Sequence, residues 1–399
     1  MKDLKIFTNN IEQTAKEQID LLLEQEAFKD CKIRIMPDVH AGAGCVIGFT
    51  GDLGDKVIPN IVGLDIGCGL LCVELGNIDL DLVKLDKVIN EYIPAGMNVH
   101  EEGYNEMSFD DLICYKDLKN KDGWLARSCG TLGGGNHFIE IDKDDENNKY
   151  LVIHTGSRNL GKQVCEIYQE KAIKYCSYEK EMKTEKEQII KEYKEQGRER
   201  EIQQALIEIN KKYSGKTKLP KDLCYLEGKD REDYLHDMNK CQEFAVMNRC
   251  DIANNILYKM GLGGLDSFQN FQCIHNYINF NDNIIRKGAI SAREGEKVII
   301  PMNMRDGCII GFGKGNEDWN YSAPHGAGRT MSRNIARNTI NMEDYEKSME
   351  GIYTTSVNES TIDESPFAYK PMEEILEHIK DTVEVHKIIK PIYNFKAGE

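Results

Sequence analysis

The stretch VGLDIGCGL (residues 62–70) places the carboxylate of Asp65 and the thiol of Cys68 three residues apart, among glycines. Glycine allows tight turns and the close approach of other groups, so both side chains can converge on one point. Carboxylate and thiolate groups are common metal ligands. The stretch therefore raises the question of a metal site that other parts of the chain would complete.

Four of the nine histidines lie at strand ends or in glycine-bearing loops. A lone histidine is more often a hydrogen-bonded structural residue than a ligand, but four in one kind of setting favour a shared chemical role. They are His137 in SCGTLGGGNHFIEI, His154 in VIHTGSRNLG, His275 in FQCIHNYINF and His325 in SAPHGAGRTMSR.

A metal interpretation uses one carboxylate, one thiolate and three imidazoles, which exceed the four ligands of a closed structural zinc site. Two neighbouring metals could be held if the thiolate bridges them, and two metals can clamp the attacking and leaving oxygens of a phosphoryl transfer. The spacing is long-range and matches no compact ligand motif, so the pattern alone leaves structural histidines open. The ligand set would be Asp65, Cys68, His137, His154 and His275.

The loops GTLGGGNHFIE and PHGAGR predict anion binding, because glycine runs expose backbone N–H groups and a nearby arginine adds bidentate charge. Arg158 follows His154 by four residues, and Arg329 follows His325 by four. These repeated arrangements favour a phosphate-rich substrate. A histidine in such a loop can also attack phosphorus, although spacing alone does not assign this role to His325.

Three regions of the chain would position these residues. Residues 1–165 and 261–399 alternate short β-like runs with glycine turns, whereas about 165–260 is helical and highly charged. Catalytic loops on both sides of a helical segment favour one composite α+β domain over residues 1–399. We expect mixed β-sheets with surrounding helices and a charged helical hairpin inserted at about 165–260.

The bulk composition narrows the class of protein. The net charge of −16 argues against extended contact with nucleic acid unless a cleft is locally basic. The 13 cysteines form no Cys-x-x-Cys pair and favour free thiols in a reducing cytoplasm. No apolar run approaches the roughly 20 residues of a membrane span, and the charged N-terminus lacks an apolar signal core. We therefore expect a cytoplasmic protein with no membrane partner.

In this order, the motifs MPDVHAGAGCVIG, VGLDIGCG, GTLGGGNHFIE, HTGSR, HN and HGAGR resemble the RtcB family of RNA-splicing ligases. The resemblance extends from about Met36 to Lys396. It implies an enzyme that joins RNA ending in a 2',3'-cyclic phosphate or 3'-phosphate to RNA beginning with a 5'-hydroxyl, in tRNA splicing or RNA repair. It also implies GTP and two manganese ions as cofactors. In archaea and animals the family is often helped by the protein archease, which is therefore a candidate partner.

The resemblance implies specific roles for individual residues. His325 would attack the α-phosphate of GTP and carry GMP, oriented by Asp38 near His40. Asp65, Cys68 and His137 would hold one manganese ion, and Cys68, His154 and His275 the other. Arg158 and Arg329 would bind RNA phosphates. The guanylate contacts would be Asn136, Glu140, Asn276, Pro301, Met302, Asn303, Met304, Cys308, Gly326, Ala327, Gly328, Tyr369 and Lys396.

The segment PMNMRDGC departs from the family, which commonly has Pro-Gly-Ser-Met-Gly with a serine a little later. Asn303 stands where a serine is usual, and Cys308 stands at the later serine position. An amide can still form hydrogen bonds, whereas a thiol is a poor substitute for a hydroxyl. These substitutions concern the guanylate contacts and leave the metal ligands and His325 untouched.

Two alternatives use the same residues differently. A binuclear phosphoesterase acting on RNA ends would use the metal ligands to activate water and would need neither His325 nor Lys396. A non-catalytic RNA-binding descendant of the ligases would be expected to lose a metal ligand or His325. The presence of all these residues favours the ligase.

Overall fold

A computed structural model describes residues 3–103 and 108–397, with the backbone alone at residues 121 and 122. The strands are β1 (Leu4–Ile6), β2 (Ile33–His40), β3 (Ile47–Gly51), β4 (Lys56–Val57), β5 (Gly69–Gly76), β6 (Phe138–Lys143), β7 (Lys149–Thr155), β8 (Leu226–Glu227), β9 (Gln269–Ile274), β10 (Asn276–Ile278), β11 (Ile285–Lys287), β12 (Ala289–Ser291), β13 (Lys297–Asn303), β14 (Gly307–Gly313), β15 (Ser322–Pro324) and β16 (Val383–Lys396).

The α-helices surround the sheets that these strands form. They are α1 (Gln13–Glu24), α2 (Pro59–Val62), α3 (Leu82–Tyr92), α4 (Arg158–Tyr175), α5 (Glu179–Glu195), α6 (Ile202–Tyr213), α7 (Gly228–Met260), α8 (Arg333–Thr339), α9 (Met342–Ser348) and α10 (Met372–His378). Among the described residues, no helix combines the length and the apolar character needed to cross a membrane.

A seven-stranded antiparallel sheet, in the order β13-β14-β16-β6-β7-β5-β9, forms the centre of the protein. Both of its faces are buried. Leu70 and Cys72 of β5 belong to one apolar cluster, and Leu71 and Val73 belong to another, together with residues of α3 and α7. This double burial explains why β5 reads as an unbroken apolar run rather than an alternating one.

A second sheet has five strands in the order β1-β2-β3-β11-β10, with β1 and β2 parallel and the other neighbours antiparallel. Pro37 lies inside β2, where it has no N–H group to donate to the ladder. The pairing of β2 with β3 shifts between Ile35 and His40. The irregular segment contains Asp38, whose fully buried side chain leaves this sheet to contact His325 at the end of β15. The expected α+β fold with mixed sheets is confirmed.

The helical region contains two kinds of helix. Helices α4 and α7 pack in the core, and α7 buries residues along most of its length. Helices α5 and α6 form the charged antiparallel hairpin, where α5 buries no side chain and α6 buries only Ile209. The exposed insertion is thus confined to about residues 179–213, shorter than the predicted 165–260. The single-domain organisation stays a prediction.

Removal of the α5–α6 hairpin is expected to leave the fold intact, because this hairpin contributes almost nothing to the core. Ser177 and Thr217 form an antiparallel bridge at its base, so a short glycine–serine linker can join them. We expect the thermal unfolding midpoint to change by less than about 4 °C, measured by calorimetry or circular dichroism. A collapse of the cooperative transition would contradict this, and the matched control is deletion of a similar length from α7.

Candidate active site

Four strands bring the predicted metal ligands to one edge of the seven-stranded sheet. Cys68 directly precedes β5 and His137 directly precedes β6, while His154 is the penultimate residue of β7 and His275 follows β9. Because β5 and β6 are antiparallel to β7, and β5 is antiparallel to β9, these four positions lie side by side. Asp65 lies in the loop that leads into β5.

The ligand atoms form two triads that share Cys68, and within each triad all ligand atoms lie within 4.8 Å of one another. In the first triad, the Cys68 sulphur lies 3.5 Å from Nε2 of His137, which lies 3.0 Å from Oδ2 of Asp65. In the second, the same sulphur lies 3.4 Å from Nε2 of His154, which is 3.0 Å from Nε2 of His275. The predicted ligands are therefore brought together, with the thiol at the bridging position.

Local glycine geometry allows Asp65 and Cys68 to converge. Gly67 adopts φ = +74°, and a Cβ there would lie 2.9 Å from the Cα of Gln242 on α7. Only glycine combines that backbone conformation with such a close approach of a helix. The turn between the two ligands is therefore pressed against α7.

The protonation chemistry of the histidines fits a divalent cation. Nδ1 of His137 lies 2.8 Å from the carbonyl of Leu132, and Nδ1 of His154 lies 3.2 Å from the carbonyl of Asn136. When each Nδ1–H donates to its carbonyl, Nε2 retains the lone pair that a metal binds. Burial lowers the pKa of His154 and of His275 well below the ordinary value, so both imidazoles are neutral at neutral pH.

The thiol requires a metal to become a thiolate. Burial raises the pKa of Cys68 well above its ordinary value, and the neighbouring Asp65 carboxylate raises it further. A cation between the two triads would offset this, because coordination displaces the thiol proton. The donor set of oxygen, sulphur and imidazole nitrogens thus fits a pair of divalent ions bridged by Cys68.

Arg249 is a site residue that the sequence analysis missed. It is fully buried on α7 and donates to the carbonyls of Gly67 and Thr155 at 2.9 and 2.7 Å, and to the side chain of Gln272 at 2.8 Å. One guanidinium therefore ties together the ends of β5, β7 and β9. The available signal was an arginine on the apolar face of a helix within the segment that we predict to be a charged insertion.

His325 lies beside the second triad and is held by Asp38. Nδ1 of His325 is 2.6 Å from Oδ2 of Asp38, which also accepts the backbone N–H groups of His325 and Gly326 at 3.0 and 3.2 Å. The ring centroids of His325 and His275 are 4.7 Å apart, and those of His325 and His40 are 6.5 Å apart. With Nδ1–H donated to Asp38, Nε2 carries the free lone pair.

A cavity of about 720 Å³ adjoins His325 and the candidate metal ligand His154. We call it the first cavity. Among the predicted site residues, its lining includes Asn136, Pro301, His325, Gly326, Ala327, Gly328, Arg329, Tyr369 and Lys396.

Other predicted guanylate contacts lie outside the lining of the first cavity. The amide of Asn276 bridges Asp65 O and Gly288 N, and the amide of Asn303 caps the β13–β14 turn through Arg305 and Asp306. The remaining ones are buried: Glu140, Met302, Met304 and Cys308. Their roles in binding guanylate stay predictions.

Glu364 is a second residue that the sequence analysis missed. Its buried carboxylate lies 3.1 Å from Arg329, 2.9 Å from Arg333 and 2.5 Å from Lys396, and it accepts the hydroxyl of Tyr369 at 2.6 Å. Burial opposes the charged form, but the three cations outweigh it and lower the pKa of Glu364 to about 2. Nothing local in TIDESPFAYK distinguishes this acid from a surface one.

The other predicted phosphate-binding residue, Arg158, lies outside the lining of the first cavity and beside His137 of the first triad, because a Cβ at Gly133 would approach both side chains. It donates to Thr131 Oγ1 at 2.9 Å and to the carbonyl of Gly96 at 2.8 Å. Its backbone adopts φ = +56°, which is uncommon for a residue with a side chain and is concentrated at functional sites.

An α+β fold that gathers these ligands beside a carboxylate-held histidine and a basic cavity is the arrangement expected of a metal-dependent phosphoryl-transfer enzyme. The comparison with known proteins is more specific. The sequence model of the family described as tRNA-splicing ligase RtcB matches residues 25–125 and 115–397. The chain therefore belongs to the RtcB family of RNA-splicing ligases.

Individual relatives agree with this assignment. The RNA-splicing ligase RtcB of Escherichia coli K12 is 30% identical, and the alignment covers 99% of this chain and 97% of that protein. The tRNA-splicing ligase RtcB of Nanoarchaeum equitans is 26% identical over 86% of this chain and 83% of that protein. The RNA-splicing ligase RtcB homolog 2 of Entamoeba dispar is 24% identical, and the alignment covers 86% of this chain and 76% of that protein.

Metal content is expected to follow the shared position of Cys68. Cys68→Ala should lose both divalent ions, because its sulphur belongs to both triads. His137→Ala and His275→Ala, which each alter one triad, should each retain about one ion. Elemental analysis of purified, manganese-loaded protein measures this, with His386→Ala, at an exposed histidine outside the site, as the control. Equal loss in all three site variants would contradict a bridging thiol.

The buried carboxyl of Glu140 is expected to reduce the free energy of unfolding as the pH rises. Burial raises its pKa from 4.5 to about 7, so between these values the folded state holds a proton that the unfolded state has released. Glu140→Gln removes this cost and can donate to Asp142, whose carboxylate oxygens have no hydrogen-bond partner among the described residues. We expect a gain on the order of 2 kcal/mol in unfolding free energy at pH 8, and almost none at pH 4.

Urea denaturation at both pH values measures this difference. Exposed Glu350→Gln is the matched control and should change neither value. Lower stability of Glu140→Gln at pH 8 than of the parent protein would show that the buried carboxylate is charged and satisfied in the folded state.

Proposed function

We propose that this protein is a GTP- and manganese-dependent ligase that joins RNA 2',3'-cyclic-phosphate or 3'-phosphate ends to 5'-hydroxyl ends through a histidine–GMP adduct. The observation that carries the proposal is the placement of His325. Its ring is oriented by a buried carboxylate, lies beside the metal triads and lines a basic cavity. A phosphoesterase would need only the metal ligands and has no use for this arrangement.

The Asp38–His325 pair supports a nucleophilic role. Donation of the Nδ1 proton to Asp38 leaves the Nε2 lone pair to attack the α-phosphate of GTP. A bond forms between Nε2 and phosphorus, and pyrophosphate leaves with the bonding electrons. The carboxylate of Asp38 stabilises the positive charge that develops on the ring.

The metal ligands would be divided as the triads suggest. Asp65, Cys68 and His137 would hold one manganese ion, and Cys68, His154 and His275 the other. Bound manganese would offset negative charge on the phosphate oxygens during group transfer. The carbonyls of Leu132 and Asn136 contact Nδ1 of His137 and of His154, and they orient these two rings before any substrate arrives.

The first cavity would bind the guanylate. Gly326, Ala327 and Gly328 follow the nucleophile and bring backbone to the phosphate, as glycine-rich loops do for anions. Lys396 and Tyr369 are fixed by Glu364, so they are already oriented at the cavity wall. Glu140 would accept from the N–H edge of guanine after a movement that opens its buried position.

The RNA steps follow from the same group transfer. Water opens the cyclic phosphate to a 3'-phosphate, which then takes GMP from His325 and frees the imidazole. The 5'-hydroxyl attacks the activated phosphorus, its proton is released, and GMP leaves as the phosphodiester forms. Arg158 and Arg329 would hold RNA phosphates.

All 13 cysteines are free thiols, which suits the reducing cytoplasm where we expect the enzyme to act.

Incubation with manganese and GTP labelled at the α-phosphate is expected to leave label on the denatured chain. His325→Ala should abolish the label, and Asp38→Asn should slow labelling by about 100-fold or more, because the wrong hydrogen bond leaves the ring in an unsuitable tautomer. An excess of ATP should not compete. Gel autoradiography after denaturation measures all three.

His386→Ala removes an exposed histidine of β16 that lies outside the site, and this control variant should be labelled like the parent protein. A well-folded protein that binds manganese but acquires no label would exclude the nucleotidyl-transfer step. Release of phosphate from RNA ends under those conditions would then favour the binuclear phosphoesterase.

A further inference from the structure

A second cavity, of about 820 Å³, lies on the Arg158 side of the metal ligands. Its lining includes three cationic residues, Arg158, Lys162 and Lys396, and no aspartate or glutamate from the described residues. Outside the lining, Glu364 pairs with Lys396 and Glu166 lies 3.8 Å from Lys162, whereas Arg158 donates to Thr131 and to the carbonyl of Gly96. In a chain with a net charge of −16, such a wall is a local basic surface. It therefore favours an anionic ligand.

The same wall offers aromatic and amide groups. Trp124 and Phe395 line it, together with the amides of Asn98 and Asn159. Aromatic rings stack on unpaired nucleobases, and amides supply both donors and acceptors to base edges. Cations, aromatic rings and amides in one cavity are the groups that bind a single-stranded nucleotide.

The second cavity lies next to the first triad. A Cβ at Gly133 would lie 2.0 Å from Nη1 of Arg158 and 2.9 Å from Nδ1 of His137, so the guanidinium and the metal ligand flank the same glycine. Lys396 lines both cavities. A nucleotide in the second cavity would therefore present its phosphate or hydroxyl near the metals and the first cavity.

We propose that the second cavity binds the terminal nucleotide of an RNA end, with its base stacked on Trp124 and its backbone held by Arg158 and Lys162. The proposal rests on the ligase function for the identity of the ligand as RNA. It assigns to Trp124 a role in substrate binding that is separate from the guanylate and metal contacts.

Tryptophan fluorescence tests the contact directly, because the chain has two tryptophans in different settings. Trp319 is 3% exposed and stacks on Phe7 with ring centroids 3.6 Å apart, whereas Trp124 lines the second cavity. Short RNA oligonucleotides should quench the emission of the parent protein. They should not quench Trp124→Phe, which reports on Trp319 alone. Absence of quenching, or equal quenching in both proteins, would overturn the proposal.

Two oligonucleotide arms identify the bound end. One carries a 3'-phosphate with its 5' end blocked by a dye, and the other carries a 5'-hydroxyl with its 3' end blocked. The arm that quenches Trp124 is the end that occupies the cavity. His325→Ala should quench like the parent protein, so failure of guanylylation and failure of this proposal are distinguishable.

Binding affinity tests the stacking. Trp124→Ala should bind the quenching oligonucleotide about tenfold more weakly by fluorescence anisotropy. Removing the terminal base, with an abasic nucleotide, should cause a similar loss in the parent protein and little further loss in Trp124→Ala. Phe280→Ala, at an aromatic residue that is 55% exposed, is the control and should bind normally. Independent, additive losses would show that the base lies elsewhere.

Discussion

The arrangement of the candidate active site depends on four neighbouring strand ends in the seven-stranded sheet. The antiparallel ladder β6-β7-β5-β9 sets Cys68, His137, His154 and His275 at adjacent register positions, and the sulphur of Cys68 reaches both triads. Register in a sheet is fixed by pairing along the whole strand. The relative positions of these four side chains are therefore set by strand pairing in the core rather than by loop conformation. Burial at these strand ends also favours the neutral forms of the Cys68 thiol and of the His154 and His275 imidazoles, because it raises the pKa of the thiol and lowers the pKa of both rings.

A buried arginine connects helix α7 to these strand ends. Arg249 on α7 donates to the carbonyls of Gly67 and Thr155 at the ends of two strands. Burying a guanidinium is costly, and here Nε and Nη1 donate to two carbonyls and the Gln272 side chain, whereas Nη2 has no hydrogen-bond partner among the described residues. The nearby Asp65 and Cys68 favour the charged form of the guanidinium. Helix α7 thus holds the ligand loops in place, whereas the α5–α6 hairpin, which precedes it in the chain, is exposed.

An acidic protein can present basic surfaces where they are needed. Glu364 holds Arg329, Arg333 and Lys396 at one wall of the first cavity, and the second cavity has cations without lining carboxylates. Overall charge governs long-range behaviour, whereas local cavities with low-dielectric walls set the field that a phosphate meets. Lys396, the last residue of the longest strand, lines both cavities.

The ordered motifs were enough to predict the family, the α+β class, the five metal-ligand candidates and His325, because these predictions depend on residue types in a fixed order along the chain. It could not place Arg249 or Glu364, whose local segments look like an ordinary charged helix and a surface acidic pair. The resemblance also implied that Cys68 is shared and that Asp38 orients His325. The structure places the Cys68 sulphur in both triads and Asp38 against His325, 287 residues away in the chain. It also confined the exposed insertion to α5 and α6. Burial and convergence are properties of long-range packing, and no local pattern encodes which charged side chain the core will enclose.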